Sequence, residues 1–246
     1  MKLIFLIVAL FVCLPFAAEG GSMVQLKSGE EEIQAYWAKP SGVGPFPAMI
    51  LIHEWWGLND QIKGIADRFA SEGYAALAVD LYRGNVTADP DLAHQYMSGL
   101  PEDRAVRDMK AAFDYLQQQK DIRKDRIGSI GWCMGGGYSL RLALNEPRLS
   151  ACVIYYGRLV TDPESLKKIN SPVLGIFAEN DQAIPPEMAK KFEEQMKVLG
   201  KEISVHIYPA SGHGFFNETG KRYNPDAAKD AWSKTVSFLQ KHLKGS

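Results

Sequence analysis

Apolar and amphipathic stretches alternate along nearly the whole chain, and this alternation limits the possible folds more than any other feature of the sequence. Continuous apolar runs bounded by proline or glycine, such as FPAMILI and YAALAV, are typical of strands buried on both faces. The stretches between them, such as NDQIKGIADRFASEG, carry apolar residues at helical spacing. Strands that alternate with helices predict a single-domain α/β fold, with a mostly parallel, twisted sheet covered by helices on both faces.

The size and charge of the chain set further limits. It has 246 residues, of which 46% are hydrophobic, and a formal net charge of -1. This composition suits one globular domain with a sizeable core. Because lysine and arginine are scattered, neither nucleic acid nor an anionic membrane surface is expected as a partner.

The N-terminal segment differs from the rest. It has Lys2, an apolar run to about Phe16 and small residues after it, which together predict a cleaved signal peptide over 1–21 and a mature domain over 22–246. The run is shorter than the roughly 20 residues that a membrane-spanning helix needs. A lipoprotein signal ending at Cys13 is disfavoured by the bulky residue before it. We therefore expect export, to a periplasm or the cell exterior, without stable membrane association after cleavage.

Two cysteines remain after this cleavage, Cys133 and Cys152. Neither has the spacing of a metal site, so no metal is expected. An oxidising compartment would permit one disulfide between them, but no C-x-x-C motif indicates a redox pair.

Ligands of parallel α/β sheets bind at the carboxyl ends of the strands, so the residues that follow each buried run are candidates for a site. These candidates combine a thiol, carboxyl groups, imidazoles and a guanidinium. They are His53, Glu54, Trp55, Asp80, Arg83, Cys133, Asp181 and His213.

Cys133 lies in a strand–Gly-x-Cys-x-Gly–helix pattern, GSIGWCMGGGYSL. Such a sharp turn presents its central residue above the sheet edge, at the positive N-terminus of the next helix, which favours a thiolate. Nucleophile, acid and histidine in this chain order are typical of the α/β-hydrolase fold. His213 is then the base and Asp181 its orienting acid, and the main-chain N–H groups of Met134 and Trp55 are the predicted oxyanion hole.

Less specific explanations stay open for each of these residues. Cys133 could be a small core residue at a strand end. Asp181 could cap the helix that begins near Pro185, and His213 could be an ordinary turn residue. Cys152, which lies among apolar neighbours, is interpreted as structural. Asp80 is left without an assigned role.

Five motifs in order resemble the dienelactone hydrolase family over roughly 24–243. They are HEWWGLN, DLYRG, GWCMGG, AENDQAIPPE and GHGFFN. The resemblance implies the triad Cys133, Asp181 and His213, no cofactor, and a monomer. It also implies that Glu54 controls ionisation of the thiol, and that Arg83 binds a substrate carboxylate.

One position departs from the family pattern. Where the dienelactone enzymes have a second carboxylate-binding arginine, four residues after the histidine, this chain has Asn217. The aromatic side chains near the motifs predict an apolar substrate pocket instead. They are Trp55, Trp56, Phe215 and Phe216.

The sequence thus predicts an exported hydrolase that cleaves a small ester or lactone by way of an acyl group on Cys133. Two alternatives come from other classes of protein. One is a catalytically idle binding protein with the same fold, and the other is a redox protein that uses the Cys133 thiol.

Overall fold

The computed structural model describes residues 20–245. The predicted signal peptide lies outside the described residues, apart from Gly20 and Gly21. Eight strands form one sheet in the order β1-β2-β4-β3-β5-β6-β7-β8. The strands are β1 (Ser22–Ser28), β2 (Glu31–Ala38), β3 (Phe46–Ile52), β4 (Ala75–Val79), β5 (Ile122–Trp132), β6 (Ala151–Tyr155), β7 (Val173–Ala178) and β8 (Ile203–Tyr208).

Helices connect most of these strands. They are α1 (Asp60–Ser71), α2 (Pro90–Ser98), α3 (Glu102–Gln118), α4 (Met134–Asn145), α5 (Pro163–Leu166), α6 (Pro186–Val198) and α7 (Pro225–Leu239), the last continued by a π-helical turn over Gln240–Lys244. Across 20–245, no helix is both long and apolar enough to cross a membrane.

The sheet is parallel from β4 to β8, and only β1 and β2 at one edge run antiparallel to their neighbours. Strands β3, β4, β6 and β7 are buried along their whole length, as continuous apolar runs require. The α/β architecture predicted from the alternation is therefore confirmed.

Two apolar layers enclose the sheet. One packs α3, α4 and α6 against its first face. The other packs α1 and α7 against the opposite face. This double cover fixes the strand ends, which carry the candidate site, in one rigid frame.

Helix α2 lies in a polar passage with proline and glycine, 83–101, where apolar spacing predicts no helix. Its N-cap, Asp89, accepts hydrogen bonds from the N–H groups of Asp91 and Leu92. Ala93 is its one buried residue, so it lacks the apolar periodicity that reveals the other helices. Helix α1 begins at an asparagine cap, since the Asn59 side chain accepts from the N–H of Ile62 at 3.2 Å.

Candidate active site

The turn between β5 and α4 places Cys133 at the sheet edge. Cys133 has φ 55° and ψ -119°, which is a strained backbone conformation for a residue with a side chain. A Cβ atom at Gly131 would lie 2.0 Å from the carbonyl oxygen of Gly135, and one at Gly135 would lie 2.1 Å from the carbonyl oxygen of Ile52. Both glycines are therefore required by close backbone contacts around the turn.

Cys133, His213 and Asp181 form one hydrogen-bonded chain. His213 Nε2 lies 3.0 Å from Cys133 Sγ, and His213 Nδ1 lies 2.8 Å from Asp181 Oδ2. Because Nδ1 faces a carboxylate, it carries a proton, and Nε2 is left to exchange a proton with sulfur. The thiol is partly exposed, so a substrate can reach it.

Asp181 also stabilises its own loop. Its Oδ1 accepts from the N–H groups of Ala183 at 2.8 Å and Ile184 at 3.0 Å. One oxygen of the Asp181 carboxylate thus orients His213, and the other stabilises the turn before α6. The alternative that Asp181 caps this helix is wrong, because the N-cap of α6 is Pro185 and no side chain accepts a capping hydrogen bond there.

The pKa values of His213 and Asp181 depend on their hydrogen-bond partners as well as on burial. Burial opposes a charged imidazole, but the hydrogen bonds with Asp181 and Cys133 and their negative charge raise the pKa of His213 to about 10. Burial also opposes the Asp181 carboxylate, yet hydrogen bonds from His213 and from the N–H of Ile184 keep the pKa of Asp181 below its ordinary value. These contacts therefore favour a protonated His213 beside the Asp181 carboxylate.

The two predicted oxyanion-hole donors come from different segments of the chain. Met134 is the first residue of α4, and Trp55 lies in the loop after β3. Within 20–245, the main-chain N–H of neither residue donates to a protein acceptor. Both groups are therefore free to bind an external oxygen. The indole rings of Trp55 and Trp56 contact each other at 4.8 Å and are half-buried.

His53, a strand-end candidate without a catalytic assignment, ties two loops together. Its Nε2 accepts from the N–H of Leu81 at 3.2 Å, so the proton lies on Nδ1, which donates to the carbonyl oxygen of Glu54 at 2.6 Å. The ring is fully buried, and burial lowers the pKa of His53. It is thus held as a neutral imidazole.

Glu54 is buried, and its carboxyl group has polar partners on two other loops. Asn217 Nδ2 donates to Oε2 at 2.6 Å, and the Tyr156 hydroxyl donates to Oε1 at 3.3 Å. Burial raises the pKa of Glu54 above its ordinary value, although the two donors oppose this shift. Among the described residues, Glu54 makes no hydrogen bond with Cys133, so its control of the thiol stays a prediction.

Arg83 is engaged by protein carboxylates. Its guanidinium donates to Asp108 at 2.7 Å and to Glu31 at 2.6 Å. A substrate carboxylate would have to compete with both, and binding of substrate by Arg83 also stays a prediction. Asp80, without a role from sequence, accepts from the N–H groups of Tyr82 and Gly84 and so holds the loop that carries Arg83.

The prediction that Phe215 and Phe216 line the substrate pocket is wrong. Their side chains are 0% and 4% exposed and belong to the aromatic core beneath the site. Phe216 packs on Trp132 and Trp232 with ring centroids 6.0 and 6.3 Å apart. Gly214, with φ 83°, reverses the chain after His213 and directs both rings inward.

Tyr156 is a site residue that sequence reasoning missed. It follows β6 with φ 36°, and its ring contacts that of His213 at 5.1 Å. A signal was present, because Tyr156 ends the run ACVIYY and therefore stands at a strand end like the other candidates. Aromatic residues at strand ends are easily assigned to the core, which explains the omission.

Two further features lie outside this cluster. An open groove of about 1050 Å³ runs along α3, lined by charged residues that include Lys27, Arg107 and Asp114 and by none of the triad. In the part of the chain that the structure describes, no group of three or more His, Cys, Asp or Glu side chains could hold a metal ion.

Comparison with known proteins gives the family. The family model described as "Dienelactone hydrolase family" matches residues 33–243. A protein of Saccharolobus solfataricus with the name "Putative carboxymethylenebutenolidase" is 34% identical over 85% of this chain and 94% of its own. Protein usf of Aquifex pyrophilus is 33% identical over 91% of this chain and 99% of its own.

Solved structures agree with the fold. The crystal structure of a dienelactone hydrolase from Anabaena variabilis, 18% identical, covers 92% of this chain and 100% of its own with a TM-score of 0.70. A dienelactone hydrolase-like promiscuous phosphotriesterase from metagenomic libraries, 23% identical, covers 93% of this chain and 99% of its own with a TM-score of 0.83. Because the family model spans nearly all of the described residues and the fold agrees, this chain belongs to the dienelactone hydrolase family.

Proposed function

We propose that this protein hydrolyses small esters or lactones through an acyl-enzyme on Cys133. The observation that carries the proposal is the hydrogen-bonded chain from Cys133 Sγ through His213 to Asp181, at a strand–helix turn. A thiol activated by an oriented imidazole is the arrangement that nucleophilic acyl transfer requires.

The reaction proceeds in two halves. Sγ, whose proton is already held by His213 Nε2, attacks the carbonyl carbon, and the N–H groups of Met134 and Trp55 bind the negative oxygen of the tetrahedral intermediate. The intermediate collapses to a thioester, and the alkoxide leaving group takes the proton from His213. A water molecule, deprotonated by His213, then attacks the thioester. Release of the carboxylic acid frees the Cys133 sulfur and leaves the proton on His213.

The charges around the site favour a substrate without a carboxylate. Arg83 is paired with Asp108 and Glu31, and the Asn217 amide donates to Glu54. The described residues thus offer no free cation at the positions that the family uses to hold an anion. The names of the relatives, carboxymethylenebutenolidase in particular, make lactones a necessary part of any substrate panel.

A substrate panel with matched variants tests the proposal. Wild type, Cys133→Ala, His213→Asn and, as control, Cys152→Ala are assayed on an activated acetate ester, a neutral enol lactone and a carboxylate-bearing enol lactone. We expect turnover in wild type and Cys152→Ala alone, with no large advantage for the carboxylate-bearing lactone. Ester hydrolysis at the wild-type rate in Cys133→Ala would refute the nucleophile. A strong carboxylate preference that vanishes in Arg83→Ala would refute the substrate class.

We also propose that the protein is exported and that 1–21 is removed. The support is the order of Lys2, an apolar run and small residues in the sequence. The intact mass and N-terminal sequence of the protein from periplasm or culture fluid test this proposal. A chain that stays in the cytoplasmic fraction and keeps Met1 and the apolar run would contradict it.

A further inference from the structure

The orientation of the Asn217 amide is fixed by its neighbours. The side chain is 6% exposed, and Oδ1 accepts from the Thr219 N–H at 3.0 Å and from Thr219 Oγ1 at 2.7 Å. Because those partners are a main-chain donor and a hydroxyl that donates, the oxygen of the amide must face them. The amide nitrogen is therefore directed at Glu54 Oε2, 2.6 Å away.

This hydrogen bond, which we call the Glu54–Asn217 brace, joins two loops of the site. Glu54 precedes Trp55, the predicted oxyanion donor, in the loop after β3. Asn217 is in the loop after β8 that carries His213, and its own N–H donates to the carbonyl oxygen of Gly214 at 3.0 Å. Tyr156, from the loop after β6, contacts both the Glu54 carboxyl group and the His213 ring.

The groups that act on the Glu54 carboxyl group are few. His213 and Tyr156 face it from two neighbouring loops, Glu218 adds a negative charge, and His53 bonds to its main-chain carbonyl. In the part of the chain that the structure describes, no lysine or arginine forms an ion pair with Glu54. The carboxyl group is thus held by neutral donors, and the amide is its shortest contact.

We propose that Asn217 is a positioning residue, which acts through Glu54 to fix the loop of Trp55 relative to the loop of His213 around Cys133. The catalytic part of this inference rests on the proposed function. Position 217 is then not half of an absent substrate clamp, since both ends of its amide are occupied within the protein. Its substitution changes how the site is assembled, and leaves the affinity for substrate nearly unchanged.

The proposal is tested by exchanging the carboxyl group and the amide between positions 54 and 217. Asn217→Asp sets a carboxylate against Glu54, which is costly for buried like charges. Glu54→Gln keeps both contacts, because the oxygen of the new amide accepts from Asn217 and its nitrogen donates to the Tyr156 hydroxyl. This single variant measures whatever Glu54 contributes to ionisation of the thiol, and it is the reference for the double variant. In the double variant Glu54→Gln/Asn217→Asp, the carboxylate introduced at position 217 keeps the Thr219 bonds and accepts from the amide introduced at position 54. The Glu54–Asn217 brace is thereby rebuilt with donor and acceptor exchanged.

We expect Asn217→Asp to lower kcat roughly tenfold with little change in KM, because misplaced groups cost turnover more than binding. We also expect it to lower the midpoint of thermal unfolding and to slow alkylation of Cys133 by iodoacetamide. In the double variant, all three readouts should lie close to those of Glu54→Gln alone, so that Asn217→Asp costs little once its partner is an amide. Asn170→Asp makes the same chemical change at an exposed loop position and should leave every readout near the wild-type value.

Additive effects of the two substitutions would overturn the proposal, as would an Asn217→Asp variant that behaves like wild type. If Asn217→Asp fails to fold, folding of the double variant is itself the rescue. Unfolding and alkylation need no ester substrate. Rescue in these two readouts without any ester turnover would therefore support the Glu54–Asn217 brace and reject the proposed function.

Discussion

Cys133 and Cys152 have the same side chain in two different surroundings. Cys152 lies inside β6, paired with Ser129 of β5, and its Sγ is 3.5 Å from Ser139 Oγ. It is fully buried, and burial raises the pKa of its thiol to about 11. Cys133 stands just past the end of β5, partly exposed, with His213 Nε2 3.0 Å from its sulfur. The fold, and not the residue type, decides which thiol can react.

The largest expected difference between the two is in turnover. Cys133→Ala removes the proposed nucleophile and should reduce ester hydrolysis by at least about a thousandfold, as removal of a triad member does in other enzymes. Cys152→Ala should keep the wild-type kcat, because Cys152 touches no group of the site. Steady-state kinetics of the two variants measures the difference. Equal losses of kcat in the two variants would show that Cys133 is not the nucleophile.

Alkylation should separate the two thiols without any substrate. At neutral pH, iodoacetamide should modify Cys133 at least about a hundred times faster than Cys152, which is buried and has little thiolate. Peptide mass spectrometry after timed quenching gives both rates. His213→Asn should lower the alkylation rate of Cys133 and leave that of Cys152 unchanged. An unchanged rate at Cys133 would show that the imidazole does not activate its thiol.

The stability of the protein should depend on pH through His213. Its pKa rises from 6.5 to about 10 on folding, so it stabilises the fold fully below pH 6.5 and loses this contribution as pH rises through about 10. The gap in unfolding free energy between wild type and His213→Asn should therefore shrink over that window. Urea unfolding at several pH values measures it. Cys152→Ala is the matched control, and its curve should stay parallel to wild type.

Glycine should have opposite effects at the two positions, which is the smallest difference that we expect. At Cys133, where φ is 55°, Gly should stabilise the fold by about 1 kcal/mol relative to Ala, since it relieves backbone strain. At Cys152, inside a strand, Gly should destabilise by about 1 kcal/mol relative to Ala. Urea unfolding of the four variants gives the values. The same sign at both positions would show that the turn is not strained.

The sequence predicted the features of this protein that leave a periodic or motif signal. The buried strands and amphipathic helices follow from apolar spacing, and the elbow at Cys133 follows from its glycines. Helix α2 was missed because Ala93 alone is buried in it, although Asp89 and Pro90 form a recognisable N-terminus.

The burial and the contacts of loop residues were predicted less well, because they depend on the conformation of each loop. Phe215 and Phe216 follow His213 directly, yet the positive φ of Gly214 turns them into the core. Asn217 was seen only as a departure from a family pattern, because a contact with Glu54 cannot be inferred from residues so distant along the chain. The partners of Arg83, Asp108 and Glu31, are hidden for the same reason.

The buried imidazole of His53 contributes to the acid sensitivity of the whole molecule. It cannot accept a second proton without releasing the N–H of Leu81, whereas the unfolded chain takes that proton freely once the pH falls below about 6.5. Acidification therefore pulls the equilibrium towards unfolding at a residue without a catalytic assignment. Acid titration of wild type and His53→Gln, followed by tryptophan fluorescence, should show a shallower transition in the variant. Part of the acid sensitivity of the protein is then a property of its scaffold, in addition to that of its catalytic groups.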